Sequence, residues 1–376
     1  MNSVSFIDAL LKQPPYRSSP QQNNELFASA LRESIIHHCA NCAPFARWYR
    51  KKADPDAAID DLSKVPFMPV TNFKRFNLQS TTSDNIVRVL KSSATSSQTP
   101  STVALDSTTR DRQTRTLAML MSELIGPARR PFIVLDAAPT AASDVELSAR
   151  VAGMRGYLMI ATEVHYAMRT VEGVPTLDVE EFQRLLRSLC AASQPVCLIG
   201  YTYMLYQYVV KPLSAQGLSL ELPPGSQVLH FGGWKRLEHL AVERGTFNAD
   251  VRRVFAFDDL IVRDIYGFTE QLGIIYPDDG NGVRVAPVYS EVFVRDPFSL
   301  KPVTDGQTGL LQFLTPLPYS YPGVSVLLDD LGRIVARDQG VDGRYGTHFE
   351  VLGRAKGSEI RGCGDTMPER VYEVNP

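Results

Sequence analysis

Phe27, Leu31, Ile35 and Ile36 recur at helix spacing, so residues 1–52 read as a helical amino-terminal section, broken by prolines in Gln13-Pro14-Pro15. Val65-Pro-Phe-Met-Pro-Val70 is a proline-locked extended segment leading to Phe73-Lys74 and then a strand at Ile86–Leu90. A long helical pattern covers Thr108–Leu124, with Asp106 and Ser107 as candidate caps. Through the middle of the chain, short apolar runs alternate with helix patterns. Strands are expected at Phe132–Leu135, Tyr157–Ile160, Val196–Gly200 and Gln227–Phe231, and helices at Val145–Met154, Val179–Ala192 and Tyr203–Leu213. This is the rhythm of an α/β domain. After Glu270 the pattern turns β-rich, with short strands at Val283–Pro287, Ser290–Val294, Gly309–Leu314 and Ser325–Leu328. Phe349–Gly364 begins as a strand and becomes glycine-rich.

The chain has 376 residues, more than one core comfortably supports, which predicts one large domain with an accessory section or two domains. A formal charge of −2 supplies no basic surface for nucleic acid. The longest apolar run, Pro195–Val210, is interrupted by four tyrosines and Gln207, too short and too polar to span a bilayer. The first residues lack the basic and apolar sections of an export signal, so a cytoplasmic protein is expected. Five cysteines are too few and too scattered for a disulfide framework. Cys39 and Cys42 lie in the periodic segment Leu26–Trp48 and are expected to pack against a neighbouring helix, since no finger spacing completes a zinc site.

Chemistry enters at Asp264-Ile-Tyr-Gly-Phe-Thr-Glu270, where a strand runs into a Tyr-Gly turn. Such a turn delivers Tyr266, Thr269 and Glu270 at a strand end, where α/β sheets place ligands. Glu270 could hold Mg²⁺ and Thr269 a phosphate oxygen. Lys91-Ser-Ser-Ala-Thr-Ser-Ser-Gln-Thr-Pro-Ser101 follows a strand and precedes a helix, so its hydroxyls and backbone N–H groups could surround phosphates, although an exposed linker has the same composition.

The succession of a hydroxyl-rich loop, a Tyr-Gly-x-Thr-Glu turn, an Asp and a Gly-Arg pair resembles the adenylate-forming ligases. Within them, the chain resembles the acyl-protein synthetases of the bacterial bioluminescence fatty-acid reductase complex. His230-Phe-Gly-Gly-Trp-Lys-Arg236, Asp264–Glu270, Leu328-Asp-Asp-Leu-Gly332 and Gly353-Arg-Ala-Lys-Gly-Ser-Glu-Ile-Arg-Gly-Cys363 carry the resemblance over residues 90–364. It implies that Ser92, Ser93, Thr95 and Ser96 hold ATP phosphates, that Thr269 and Glu270 orient phosphate and Mg²⁺, and that Gly232 and Gly233 flank adenine with Tyr266 nearby. Asp330 would bind the ribose hydroxyls and Arg354 the same sugar or the α-phosphate. Cys363 would accept the acyl group, its thiol made reactive by Arg361, Lys356 and accessible glycines. Tyr201, Tyr203, Tyr206 and Tyr208 could line an acyl pocket, or simply be core. The phosphate loop departs from the family in having Ala94 and Ser97 where glycine is usual, and Lys235 or Lys356 would have to replace the lysine of the large ligases' carboxy-terminal domain.

The expected fold is therefore an α/β adenylate-forming large domain with mixed sheets and a β-rich section. Residues 1–85 form a helical section packed on it, 86–352 the core, and 353–376 a truncated carboxy-terminal segment after the Gly-Arg hinge. The expected reaction is activation of a fatty or aryl carboxylic acid by ATP and Mg²⁺ as the acyl-adenylate, then transfer to a thiol: Cys363, phosphopantetheine on an acyl-carrier protein, or CoA. A reductase partner is also consistent. The alternatives are an acyltransferase using a pre-activated donor and a catalytically silent scaffold for an acyl-carrier partner.

Overall fold

The computed structural model describes residues 5–19, 24–91, 101–138, 149–172, 174–234, 239–339 and 343–355. The amino-terminal section folds as α1 (Phe6–Leu10), α2 (Asn24–Asn41) and α3 (Ala43–Tyr49). The stripe Phe27, Leu31 and Ile35 is buried with Cys39 and Cys42. Burial pushes both thiols up, Cys39 to about 11, so this Cys-x-x-Cys pair is unreactive packing. Among the described residues no group of three or more His, Cys, Asp or Glu side chains is placed to hold a metal ion by itself.

The proline-locked segment supplies β1 (Met68–Pro69), followed by the one-turn helix α4 (Asn72–Arg75). β2 (Ile86–Lys91) and β3 (Thr102–Asp106) pair antiparallel as a ribbon. α5 (Ser107–Ile125) starts at an Asp106 cap, whose carboxylate accepts from the Thr109 backbone N–H at 2.7 Å. Leu117, Leu120, Met121, Leu124 and Ile125 form its buried face at i, i+3, i+4, i+7, i+8 spacing.

The next stretch builds the larger sheet. It runs β4 (Phe132–Ala137), α6 (Ala149–Leu158), β5 (Val164–Val171), β6 (Val174–Leu177), α7 (Val179–Ala191) and β7 (Cys197–Tyr201). The tyrosine-rich helix is α8 (Thr202–Met204), a π-helical turn at Leu205–Val210 and α9 (Lys211–Ala215), and β8 (Gln227–Phe231), α10 (Arg244–Val254), β9 (Ile261–Tyr266) and β10 (Tyr276–Pro277) follow. The seven strands stand in the order β10-β9-β8-β7-β4-β5-β6, parallel in the centre with an antiparallel strand at each edge. Phe132–Leu135 and Val196–Ile199 are continuously apolar because both faces of a central parallel strand are covered.

The strand expected at Tyr157–Ile160 is instead the end of α6 and the turn after it, and the strand begins at Val164. Met154, Tyr157 and Ile160, three residues apart, are all buried, so helical spacing outweighs the short apolar run.

The β-rich part forms a second sheet from β11 (Val283–Val285), β12 (Glu291–Arg295), β13 (Gly309–Leu314), β14 (Ser325–Arg337) and β15 (Thr347–Arg354), ordered β11-β15-β14-β13-β12. β1 adds to β14 in parallel, with Met68 opposite Val326. β14 outruns the expected Ser325–Leu328. Asp329-Asp330-Leu-Gly332, which the sequence allows as a hairpin turn, stays in the strand and carries a register shift after Leu331. A Cβ at Gly332 would lie 2.4 Å from the Glu350 carbonyl, so this glycine permits a bulge rather than a turn.

Gly273 has φ +90, and its missing Cβ would stand 2.6 Å from Gln113 on α5. Gly273→Ala is expected to lower stability in chemical denaturation by about 2–4 kcal/mol through strain and overpacking. Gly217→Ala, at φ +64 in open space, should cost only about 1 kcal/mol.

Candidate active site

β8 and β9 run parallel with Phe231 opposite Ile265, so Gly232-Gly233 and Tyr266-Gly267 leave the sheet side by side at its carboxyl edge. Gly232 and Gly233 hold φ of 81° and 61°, backbone that favours glycine, and the space where a Gly233 side chain would stand is open.

The second sheet brings Asp330 to this edge. The Tyr266 hydroxyl donates to Asp330 Oδ2 at 2.5 Å, and Arg354 Nε donates to Oδ1 at 3.3 Å. Asp330 and Arg354 are direct partners in the β14–β15 ladder, so pairing register creates the ion pair. Burial and the Asp330 charge push the Tyr266 hydroxyl well above its usual range, which keeps it a donor. The Tyr266 ring rests near Phe313 of β13, centroids 5.9 Å apart.

Thr269–Gln271 is a single 3₁₀ turn. The Gln271 side-chain amide donates to the Phe313 carbonyl at 3.1 Å and the Gly323 carbonyl at 2.9 Å, clamping the turn to the second sheet. Gly323 leaves no room above Glu270: a Cβ there would meet the Glu270 carbonyl at 2.7 Å. Glu270 itself is 3% exposed, whereas Thr269 is half-buried. Burial pushes the Glu270 carboxyl up, against a hydrogen bond from Ser101 and the charge of Lys74. Asp329 is raised to about 6 by burial, again opposed by Lys74. Asp329 Oδ1 has no hydrogen-bond partner among the described residues.

Of the residues proposed from sequence, Tyr266, Thr269, Glu270, Asp330, Arg354, Gly232 and Gly233 lie at this junction of the two sheets. Ser92, Ser93, Thr95, Ser96, Lys235, Lys356, Arg361 and Cys363 lie outside the described residues. Lys74, Ser101 and Asp329 join the site without having been assigned to it. Ser101 was legible as the end of the hydroxyl-rich loop, and Asp329 as the neighbour of Asp330. Lys74 arrives through the β1–β14 pairing, which spans more than two hundred residues and leaves no local signal.

Two of the four tyrosines considered for an acyl pocket, Tyr201 and Tyr206, are buried in the core, and Tyr203 and Tyr208 are half-buried. The Tyr206 hydroxyl donates to Asp250 at 2.7 Å, and its ring stacks on Phe247, centroids 5.5 Å apart. A polar network lies beneath the glycine pair. His230 Nδ1 is 3.0 Å from the Thr202 hydroxyl and 3.6 Å from Asp264, which is ion-paired to the buried Arg284. Burial holds the His230 imidazole down at about 4, although Asp264 pulls it up.

The Glu270 carboxylate offers only oxygens. That donor set fits a hard cation such as Mg²⁺, which keeps water and nucleotide phosphate oxygens as its other ligands and needs no all-protein cage.

The chain matches the family described as acyl-protein synthetase, LuxE, over residues 1–372. The chain belongs to the acyl-protein synthetase family. Family membership makes it an enzyme, an acid–thiol ligase that activates a carboxylic acid with ATP and passes the acyl group to a thiol. The synthetase is 23% identical over 374 residues to the long-chain-fatty-acid–luciferin-component ligase of Vibrio harveyi, covering 99% of this chain and 95% of the relative. The Aliivibrio fischeri ligase of the same name is 23% identical over 372 residues, covering 97% and 94%. Among solved structures, 2-hydroxyisobutyryl-CoA ligase in complex with 2-HIB-AMP and CoA superposes with a TM-score of 0.61 at 14% identity, over 91% of this chain and 77% of that one. That likeness is one of fold, and the fold is the expected adenylate-forming one. No helix among the described residues is long and apolar enough to cross a membrane.

The neutral His230 sets a pH dependence. Its pKa falls from 6.5 in the unfolded chain to about 4 on folding. Between these values the unfolded state binds more protons, so His230 contributes stability that is present above pH 6.5 and lost as pH falls through 4. The loss should reach about 3 kcal/mol. His230→Asn should flatten that part of the profile in urea melts between pH 4 and 7.

Proposed function

We propose that the synthetase activates a long-chain fatty acid at the junction of the two sheets and carries the acyl group on Cys363. The observation that supports this most is the Tyr266–Asp330–Arg354 unit beside the buried Glu270, a donor, two carboxylates and a cation within one cleft. The acid class rests on the names of the two curated relatives.

ATP would lie with adenine against Gly232-Gly233, its ribose hydroxyls donating to Asp330 and its phosphates toward Thr269 and the loop at Ser92, Ser93, Thr95 and Ser96. The acid's carboxylate oxygen attacks the α-phosphorus, the bond to the β-phosphate oxygen breaks, and pyrophosphate leaves. Glu270 would hold Mg²⁺, which when bound supplies charge neutralisation of the phosphates. Tyr266 holds Asp330 in place, and Arg354 neutralises it and can reach the α-phosphate. Charge develops on oxygens that fixed donors already face, which is the main source of rate in such transfers. In the second half-reaction the Cys363 thiolate attacks the acyl carbonyl, a C–S bond forms, and the C–O bond to AMP breaks. A carrier-protein phosphopantetheine or CoA could take the acyl group at the same stage. A transferase or a silent scaffold is disfavoured by family membership and by the complete Tyr266, Glu270, Asp330 and Arg354 set.

Incubation with ATP, Mg²⁺ and fatty acids of increasing length, read by intact mass, should give an acyl adduct that Cys363→Ala abolishes while pyrophosphate release persists. Pyrophosphate without an adduct would move the acceptor to CoA or a carrier. No pyrophosphate with any acid would sink the reading. Asp330→Asn should weaken AMP binding about 10- to 100-fold, the loss of a charge-assisted hydrogen-bond pair, as read by calorimetry.

A further inference from the structure

Resting on the adenylation reading above, we propose that Lys74 is a nucleotide-contacting residue, a cation that the amino-terminal section carries to the triphosphate end of the site.

The local chain explains how it gets there. Val65-Pro-Phe-Met-Pro-Val70 is locked extended, and β1 lies along β14 with Pro69 opposite Leu327. The Val70 N–H donates to the Leu327 carbonyl at 2.9 Å, so the chain turns into α4 only two residues short of Asp329. Phe73 anchors that turn. It is 1% exposed and meets the buried Tyr321 ring edge-on, centroids 6.3 Å apart. The next residue, Lys74, is left half-buried, with its charge acting on Glu270 and on Asp329.

Charge placement favours phosphate as its ligand. Lys74 acts on Glu270 and on Asp329, while Arg354 pairs with Asp330 and also acts on Asp329. Arg354 is committed to Asp330 at the ribose end. The Lys74 charge acts on both Glu270 and Asp329, and the Ser101 hydroxyl, at the end of the hydroxyl-rich loop, bonds Glu270. A triphosphate entering there meets the buried Glu270 and the half-buried Asp329, and Lys74 is a described cation whose charge acts on both. An ammonium is suited to this task, because it binds phosphate as a point charge from a flexible stem. Contact at the β- and γ-phosphates leaves AMP, which lacks them, untouched by Lys74.

The test is equilibrium dialysis of ATP and of AMP, with Mg²⁺, against the full chain and its Lys74→Met and Lys74→Arg variants, with thermal melts to check folding. The exposed Lys301→Met variant serves as a control. Lys74→Met should lose about 10-fold or more in ATP affinity and less than about 2-fold in AMP affinity, with Lys74→Arg restoring most of the loss. Equal ATP binding by Lys74→Met and the parent chain overturns the proposal and leaves adenylation standing. An equal loss for ATP and AMP, or a melt lowered without nucleotide selectivity, shows a purely structural lysine and overturns it too. Failure of the parent chain to bind either nucleotide overturns the adenylation reading and this proposal together.

Discussion

The Gln271 side chain is the tie on which the cleft depends. One amide group donates to carbonyls of two separate segments of the β-rich half, Phe313 and Gly323, while its own backbone belongs to the turn that leaves the larger sheet. Both bonds are buried, so leaving either carbonyl unpaired would carry its full desolvation cost of about 1–3 kcal/mol. The clamp ties the turn after the larger sheet to the second sheet, beside the proposed ligand site. Glu270, immediately before Gln271, is placed by that constraint, and the Tyr266–Asp330 bond spans the same gap.

Charge in the cleft is graded. At one end Asp330 is fully engaged by Tyr266 and Arg354, a well-satisfied acceptor whose geometry follows from strand register. Glu270 is buried and Asp329 half-buried, both with fewer partners, and burial raises both. Under-compensated buried carboxylates are unfavourable in an isolated core, yet suit a place where a ligand brings cations with it. In the proposed reading, the Asp330 end takes a sugar that needs acceptors and the other end takes phosphates that need positive charge.

The glycines divide between these tasks. Gly232 and Gly233 adopt positive φ at the carboxyl edge, backbone that favours glycine. Gly273 and Gly323 are required by close contact, the first with α5 and the second with the Glu270 carbonyl. Gly332 bulges β14 just after Asp330 and lets the strand continue through a segment that reads as a turn. In each case the backbone conformation or close approach, not a side chain, is what requires glycine.

Much of this was legible in the one-dimensional pattern. Amphipathic spacing determined the amino-terminal helices, the Asp106-capped α5 and most parallel strands, because periodicity records which face is buried. Asp264–Glu270 stood out because a strand-to-turn transition with acidic and hydroxyl residues is locally encoded, whereas Leu328–Gly332 and Gly353-Arg354 stood out through their resemblance to the adenylate-forming ligases. Tyr157–Ile160 misled, since four apolar residues fit a helix end as well as a strand. What only the tertiary structure decided was non-local: the β14–β15 register that sets Arg354 on Asp330, the Gln271 clamp, and the β1–β14 pairing that brings Lys74 to Glu270 and Asp329. Hydrogen-bond register and the meeting of segments far apart in sequence arise from packing the whole chain, and no window along it contains them.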